Sequence, residues 1–359
     1  MDVKTILKEV VGKGASDVFV VAGRPMSFKA GSQIESLSDE VFLPGQTAEF
    51  LTEIYRMAQD RDMGRLMDVG DDDFSFAVPE VSRFRVSAYK QRGSLAAVIR
   101  VVAFALPDPA KLNIPDQILG LSEKRHGLLL FTGADGSGKT TSVACLIDRI
   151  NSTRNGHIIT LENPIEYLHR HKMSLISQRE ISIDTESYAD AMRSALRQSP
   201  NVILIGELNG EETISMALTA AETGHLVIST MPTVGATSTV DRLVDAFPAG
   251  QREQTRMRLS MVLQSVISQQ LVPTVDGSVV PAFQVMHCNN VIRGVIRDGR
   301  TDQINALINS GSGEGMIDMD ASILNMFKDG VITAQEALAH ALEPENMARH
   351  VNTRDKMYF

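Results

Sequence analysis

Residues 127–141, GLLLFTGADGSGKTT, hold the densest chemistry in the chain. An apolar run suited to a buried strand passes directly into Gly133, Ala134, Asp135, Gly136, Ser137, Gly138, Lys139 and Thr140, which fit G-x-x-x-x-G-K-[ST] and lead through Thr141 into an amphipathic helix. Glycines in such a loop let backbone N–H groups turn inward around phosphate oxygens, and the helix start adds unsatisfied donors and a positive dipole end. In that geometry Lys139 reaches the β and γ phosphates and Thr140 binds Mg²⁺. Strand, loop and helix in the right order set this apart from an ordinary glycine-rich turn and predict a nucleoside triphosphate site.

Two carboxylates at strand ends extend the prediction. HIITLENPIEYLH (157–169) reads as a strand closing on Glu162 and Glu166, with Pro164 breaking it between them, which sets both acids at the carboxyl edge of a sheet. NVILIGE (201–207) is an apolar strand ending in Glu207, placed to hold a Mg²⁺ shell or orient water. HLVISTM (225–231) is a further core strand running into Pro232-Thr233; His225, at its entering end, reads as a structural hydrogen-bonding residue. His157 and His169 lack the spacing of a metal set.

These residues need a scaffold of alternating strands and helices. A chain of 359 residues has room for about two domains. The first, over 1–103, combines a helix near 2–11, a strand at 17–23, a helix at 46–58, an acidic run Asp71-Asp72-Asp73 before FSFAV, and strands SRFRVSAY and LAAVIRVV. Its Arg83 and Arg85 alternate with Phe84 and Val86, so one sheet face is apolar and the other carries guanidinium groups, with Arg92 and Arg100 further along. Such a face is either simply solvated or, beside a phosphate site, a source of planar donor forks for phosphate oxygens. The proline-bearing stretch 104–118 reads as the linker, 119–289 as the nucleotide-binding core, and 290–359 as a helical C-terminal region. Residues 251–271 read as one long helix, GSGEG (311–315) as a flexible joint, and the chain from about Glu343 as frayed.

Composition narrows the partners. Acidic side chains outnumber basic ones, 44 to 35, which argues against general nucleic-acid binding through counterion release. Cys145 and Cys288 stand alone among apolar residues and suit a reducing compartment. The N-terminal segment mixes acidic and basic groups unlike a signal peptide, and no run approaches the ~18 apolar residues of a spanning helix.

GADGSGKTT, ITLENPIEYLH, VILIGEL and AAETGHLVISTMPT together resemble the Walker A, Asp-box, atypical Walker B and His-box motifs of the secretion-superfamily ATPases. Within that superfamily the chain is similar to the type IV pilus retraction, or twitching-motility, ATPases over nearly its whole length. DFSFAVPEVSRFRVSAYKQRG (73–93), DRLVDAFP (241–248) and NVIRGVIRDGRTDQINALINSG (290–311) follow the family too, with Arg293 and Arg297 in its arginine-rich C-terminal motif. The resemblance implies an α/β fold with a PAS-like N-terminal domain, a RecA-like P-loop domain and C-terminal helices. It implies a homohexamer that hydrolyses ATP with Mg²⁺, Glu166 and Glu207 as catalytic glutamates, Thr140 and Glu207 at the metal, and Arg83, Arg85 and Arg100 approaching the phosphates. Its expected partners are an inner-membrane pilus platform protein and a second motor ATPase. Its expected place is the cytoplasm, against the inner face of the cell membrane.

Two positions depart from the pattern. Asn163 stands where the family carries aspartate, and Pro232 where it carries histidine. Proline offers no side-chain donor and no N–H, so a slower enzyme, an accessory paralogue, or an ATP-binding regulatory or scaffold ring subunit remains an alternative. A helicase or recombinase on the same core fits less well, because the chain lacks a basic-aromatic strand platform for single-stranded nucleic acid.

Overall fold

The computed structural model describes residues 2–31, 33–102 and 106–355. Two compact units emerge: residues 1–106 together with Ile165–Leu168, and residues 107–164 together with 169–359.

The first unit opens with α1 (Val3–Gly12), whose start is capped by the Asp2 side chain accepting from Thr5 N, and whose Val3, Leu7 and Val10 form the buried stripe that spacing i, i+4, i+7 requires. Strands β1 (Asp17–Val20), β2 (Pro25–Ala30) and β3 (Gln33–Val41) follow, then α2 (Pro44–Met57), α3 (Gly64–Val69), β4 (Asp71–Val78), β5 (Ser82–Gln91) and β6 (Ser94–Val102). They form one sheet in the order β3-β2-β1-β6-β5-β4, with every neighbouring pair antiparallel. Phe50, Leu51, Ile54 and Tyr55 of α2 pack in one core with Phe74, Phe76, Phe84, Val86 and Ile99 of the sheet.

A buried polar knot ties this core down. Asp72, 2% exposed, accepts from Arg61 Nε and Nη2 at 2.9 Å each and from Tyr55 Oη at 2.9 Å. Burial alone raises the Asp72 carboxyl, but hydrogen bonds from Arg61 and Tyr55 outweigh it and hold the group below the usual carboxylate range.

The second unit begins with α4 (Asp116–Leu119), β7 (Gly127–Thr132), α5 (Lys139–Thr153), β8 (His157–Glu162), β9 (Leu175–Glu180), α6 (Tyr188–Ala195) and β10 (Val202–Ile205). It continues through α7 (Glu211–Glu222), β11 (Leu226–Met231), α8 (Ala236–Asp245), α9 (Arg252–Val262), β12 (Leu263–Pro273), β13 (Val279–His287) and α10 (Asn290–Asp298). It closes with α11 (Ile304–Ser310), α12 (Met319–Lys328), α13 (Ala334–His340) and α14 (Pro344–Asp355). The sheet order is β13-β12-β7-β11-β10-β8-β9, parallel throughout except for β13. Both faces are covered, so β7, β10 and β11 are buried at every residue.

Three segments differ from the sequence reading. The helix expected over 251–271 ends at Val262, and Leu263–Pro273 is β12. Leu259, Val262, Leu263, Val266 and Ile267 repeat at i, i+3, i+4, i+7 and i+8, which imitates a helical stripe; pairing to β7 and β13 decides in favour of the strand. Of the tail expected to fray from about Glu343, residues 344–355 form helix α14, held by Met347 and Val351 against Met319, Ile323 and Val272, and 356–359 lie outside the described residues. GSGEG is a 3₁₀ turn over Ser312–Glu314.

Candidate functional site

Residues 133–138 cross from the end of β7 to the start of α5. Gly133, Gly136 and Gly138 have φ of 146°, 79° and 86°, values that side-chain-bearing residues rarely adopt. At Gly133 space forbids a side chain as well, since a Cβ there would lie 2.2 Å from Gln269 O and 2.6 Å from Ser137 Oγ. α5 starts on left-handed Gly138 with no side-chain cap among the described residues, so its first N–H groups belong to the loop. Lys139 Nζ donates to Gly133 O at 2.7 Å and Ala134 O at 2.8 Å and lies 3.8 Å from Asp135 Oδ1, which holds the ammonium over the loop.

Strand register brings the other candidates to the same edge. Thr132 pairs with Met231, Ile205 with Ser229, and Ile205 with Leu161, so the phosphate loop, Pro232-Thr233, Gly206-Glu207 and Glu162 all leave the sheet at its carboxyl end. Glu162 is buried and accepts from Thr160 Oγ1 at 2.5 Å and Gln178 Nε2 at 3.2 Å. Glu207 is exposed and, with Met231, Pro232, Arg242 and Asp245, lines a recess of about 340 Å³. Thr230 Oγ1 and Ser229 Oγ of β11 donate to Gly206 O and Ile205 O at 2.6 Å each, fixing the strand end that carries Glu207.

The remaining predicted residues lie in the first unit. Glu166, exposed, sits in the Ile165–Leu168 segment grouped with that unit. Arg85 on β5 stands directly opposite Arg100 on β6, and Arg83 is two residues along β5, so the three share the sheet face away from buried Phe84 and Val86. Arg100 Nε donates to Asp17 Oδ1 at 2.9 Å.

Other singled-out side chains have structural partners. His225 Nδ1 lies 3.0 Å from Ala220 O and 3.2 Å from Thr223 Oγ1 at the end of α7. His157 bridges Gln198 O and Ser177 Oγ at 3.0 and 2.9 Å, and burial pushes His169 down to about 4. Arg293 Nη1 donates to Ser260 O and Met261 O at 2.6 and 2.9 Å, capping the last turn of α9, while Arg297 Nε is 3.6 Å from Asp298.

Sequence reasoning missed two residues at this edge. Tyr188 of α6 brings its hydroxyl to Gly206, where a Cβ would lie 2.9 Å from it; burial first, then the charges of Glu207 and Glu162, push the phenol up to about 12. Gln269 of β12 lies beneath the loop. Neither has a local signature, because both arrive through sheet order.

A glycine cradle ending β7, a lysine over it and carboxylates at the ends of neighbouring parallel strands define a P-loop ATPase. The chain matches the family of type II/IV secretion system proteins over residues 1–319. It belongs to the type IV pilus retraction and twitching-motility ATPases of the secretion ATPase superfamily, enzymes that hydrolyse ATP. It is 37% identical over 346 residues to the type IV pilus retraction ATPase PilT of Pseudomonas aeruginosa, covering 96% of this chain and all of that one. To the type IV pilus ATPase PilU of the same organism it is 35% identical over 342 residues, covering 95% of this chain and 89% of the relative. A crystal structure of the pilus retraction motor PilT with bound ADP superposes with a TM-score of 0.89 at 40% identity, covering 97% of this chain and 99% of that one. The shared architecture is an N-terminal domain, a RecA-like nucleotide-binding domain and C-terminal helices. Among the described residues no helix is long and apolar enough to cross a membrane.

Proposed function

We propose that this chain is a force-generating ATPase of a type IV pilus machine, working as a homohexameric ring in the cytoplasm and driving pilus retraction against an inner-membrane platform protein, with or without a second motor. The observation that carries the reading is the Gly133–Thr140 cradle with Glu162 and Glu207 at the same sheet edge, in a chain similar to a pilus retraction motor from end to end.

In this proposal residues 1–103 are a PAS-like domain, 104–118 a linker, 119–289 the ATPase core and 290–359 the C-terminal helices. Backbone N–H groups of Gly133, Ala134, Asp135, Gly136, Ser137 and Gly138 and the α5 start, with Thr141, bind the phosphates, and Lys139 turns its ammonium from the loop carbonyls to the β and γ oxygens. The residues fit Mg²⁺: a threonine hydroxyl at the start of α5 and the Glu207 carboxylate are hard oxygen donors, and Thr140 and Glu207 would hold it. Bound there, the ion neutralises charge on the phosphate oxygens. Glu207 orients the attacking water, Glu166 acts as the second catalytic carboxylate, and Arg83, Arg85 and Arg100 donate to the phosphates, partly across a subunit boundary.

One observation favours a second reading, a ring subunit that binds ATP and hydrolyses it poorly. Pro232 occupies the exposed lip of the Glu207 recess, where the proline side chain donates no hydrogen bond.

Titration with a fluorescent ATP analogue tests the site: Lys139→Ala, which removes the point charge, should weaken binding at least ~10-fold, and wild-type affinity would refute the assignment. Deleting the gene tests the role. Accumulated pili with lost surface motility mark a retraction motor, whereas unchanged pili and motility would rule it out. Steady-state hydrolysis by the purified ring, with and without Glu207→Gln, separates the motor from the weakly hydrolysing subunit.

A further inference from the structure

A strand far away in sequence packs closely against the phosphate loop. Gln269 on β12 is 4% exposed and meets the loop at two points and the following helix at a third. Its carbonyl oxygen closes on Gly133, where a Cβ would lie 2.2 Å away. Its Nε2 closes on Gly138, where a Cβ would lie 2.8 Å away. Its Oε1 accepts from Ser142 Oγ at 2.7 Å, joining it to the first turn of α5 across 127 residues of chain. The first glycine of the cradle, the last glycine and the helix that follows are thus all referenced to one side chain and its backbone.

The strand that carries it is well anchored. β12 lies between β7 and β13, with Ser268 in register with Thr132. Ser268 Oγ accepts from Gly235 N at 2.9 Å, so the neighbouring side chain on the strand is also tied down. A hydrogen bond from Ser142 sets the rotation of the Gln269 amide and turns its donor end toward Gly138.

We infer that Gln269 is a positioning residue for ATP binding: clamped by Ser142, it holds Gly133, Gly138 and the start of α5 in the phosphate-receiving conformation. This inference rests on reading Gly133–Thr140 as the ATP cradle. A loop held in its binding conformation spends less affinity on ordering itself, so loss of the clamp falls on KM for ATP more than on kcat. Leucine at 269 fills a similar volume but offers Ser142 no acceptor and puts a branched apolar end where the amide packs against Gly138. Glutamate keeps the shape, replaces the donor end with a carboxylate oxygen and brings negative charge beneath bound phosphates.

The test uses the full-length purified ring with Gln269→Leu, Gln269→Glu, Ser142→Ala, the Leu/Ala double variant, and Lys139→Ala as the site control. Expected are a roughly 10-fold rise in KM for Gln269→Leu with kcat within about threefold, a larger rise for Gln269→Glu, and a smaller one for Ser142→Ala. The double variant should be within about twofold of Gln269→Leu, because both changes break one contact. Wild-type KM in the Gln269 variants while Lys139→Ala has lost binding would overturn the inference and leave the ATP site standing. Strictly multiplicative effects of Gln269→Leu and Ser142→Ala would overturn the clamp. Wild-type binding by Lys139→Ala would overturn the cradle and this inference with it. If Gln269→Leu unfolds in thermal melts, the isosteric Gln269→Glu and Ser142→Ala, which breaks the same contact from the helix side, decide by the same KM-against-kcat split.

Discussion

Replacing Gly133 with alanine isolates the geometry on which the phosphate site depends. The added Cβ would sit 2.2 Å from Gln269 O, about 1.2 Å inside the shortest ordinary contact, and the obstacle is backbone of an interior strand rather than the tip of a flexible side chain. Residue 133 would also have to hold φ near 146°, a strain of about 1–3 kcal/mol for a residue with a side chain. Loop or strand must move, and with overpacking of about 1–3 kcal/mol added, the expected loss is ~4 kcal/mol. For a unit of this size that lowers Tm by roughly 10 °C, and ATP binding should disappear. Gly136 provides the internal control. It has φ of 79°, yet nothing lies within 4 Å of a Cβ, so Gly136→Ala carries only the left-handed penalty of about 1–2 kcal/mol. Its Tm should fall by about 2–6 °C and its ATP affinity by less than ~10-fold. Thermal melts with and without an ATP analogue, alongside direct titration, read both quantities. Indistinguishable Gly133→Ala and Gly136→Ala variants would refute the argument that close approach of β12 shapes the cradle.

Three further outcomes follow from other parts of the molecule. Asp72→Ala strands the Arg61 guanidinium and the Tyr55 hydroxyl and should cost about 3 kcal/mol near neutral pH; because the folded carboxyl titrates below its unfolded value, the stabilisation is fully present above about pH 4 and fades as pH falls through the folded value, so melts of variant and wild type should converge only in acid. Pro232→His should raise single-turnover hydrolysis modestly, with about 10²-fold as the ceiling for one well-placed donor, and Asn163→Asp combined with it should not act independently; unchanged rates with ATP affinity preserved would show that the missing histidine is not limiting. Rings mixed from an Arg83/Arg85/Arg100-depleted subunit and a Lys139→Ala subunit should recover hydrolysis that neither parent has, and verified mixed rings without recovery would refute donation across the boundary.

The phosphate loop was legible because its chemistry is local. Three glycines, a lysine and a threonine at fixed spacing need only a strand before them and a helix after them, and 127–153 carries both. Glu162 and Glu207 were legible for a similar reason, since each closes an apolar run whose parallel partners bring it to one edge. Alternation of Arg83 and Arg85 with Phe84 and Val86 likewise read directly as a two-faced strand. Gln269 was hidden because Leu259 through Ile267 follow helical spacing, and only pairing with β7 and β13 shows that the second half of the run is a strand. Tyr188 reaches Gly206 by the packing of α6 across a strand end, which no window of sequence contains. β2 and β3 escaped notice because β3 is exposed along almost its whole length and so carries no buried alternation to detect.

The two outermost strands of the first unit's sheet have a consequence for how copies of this protein meet. A strand at the end of a sheet offers unpaired N–H and C=O groups to any passing chain. β3 bears exposed Glu35, Asp39 and Glu40, and β4, at the far end, bears exposed Asp71 and Asp73. Zipping one molecule's rim onto another's would stack carboxylates against carboxylates at strand spacing, which is repulsive. Open-ended growth through the rims of this sheet is thereby disfavoured, even though both end strands leave backbone groups unpaired.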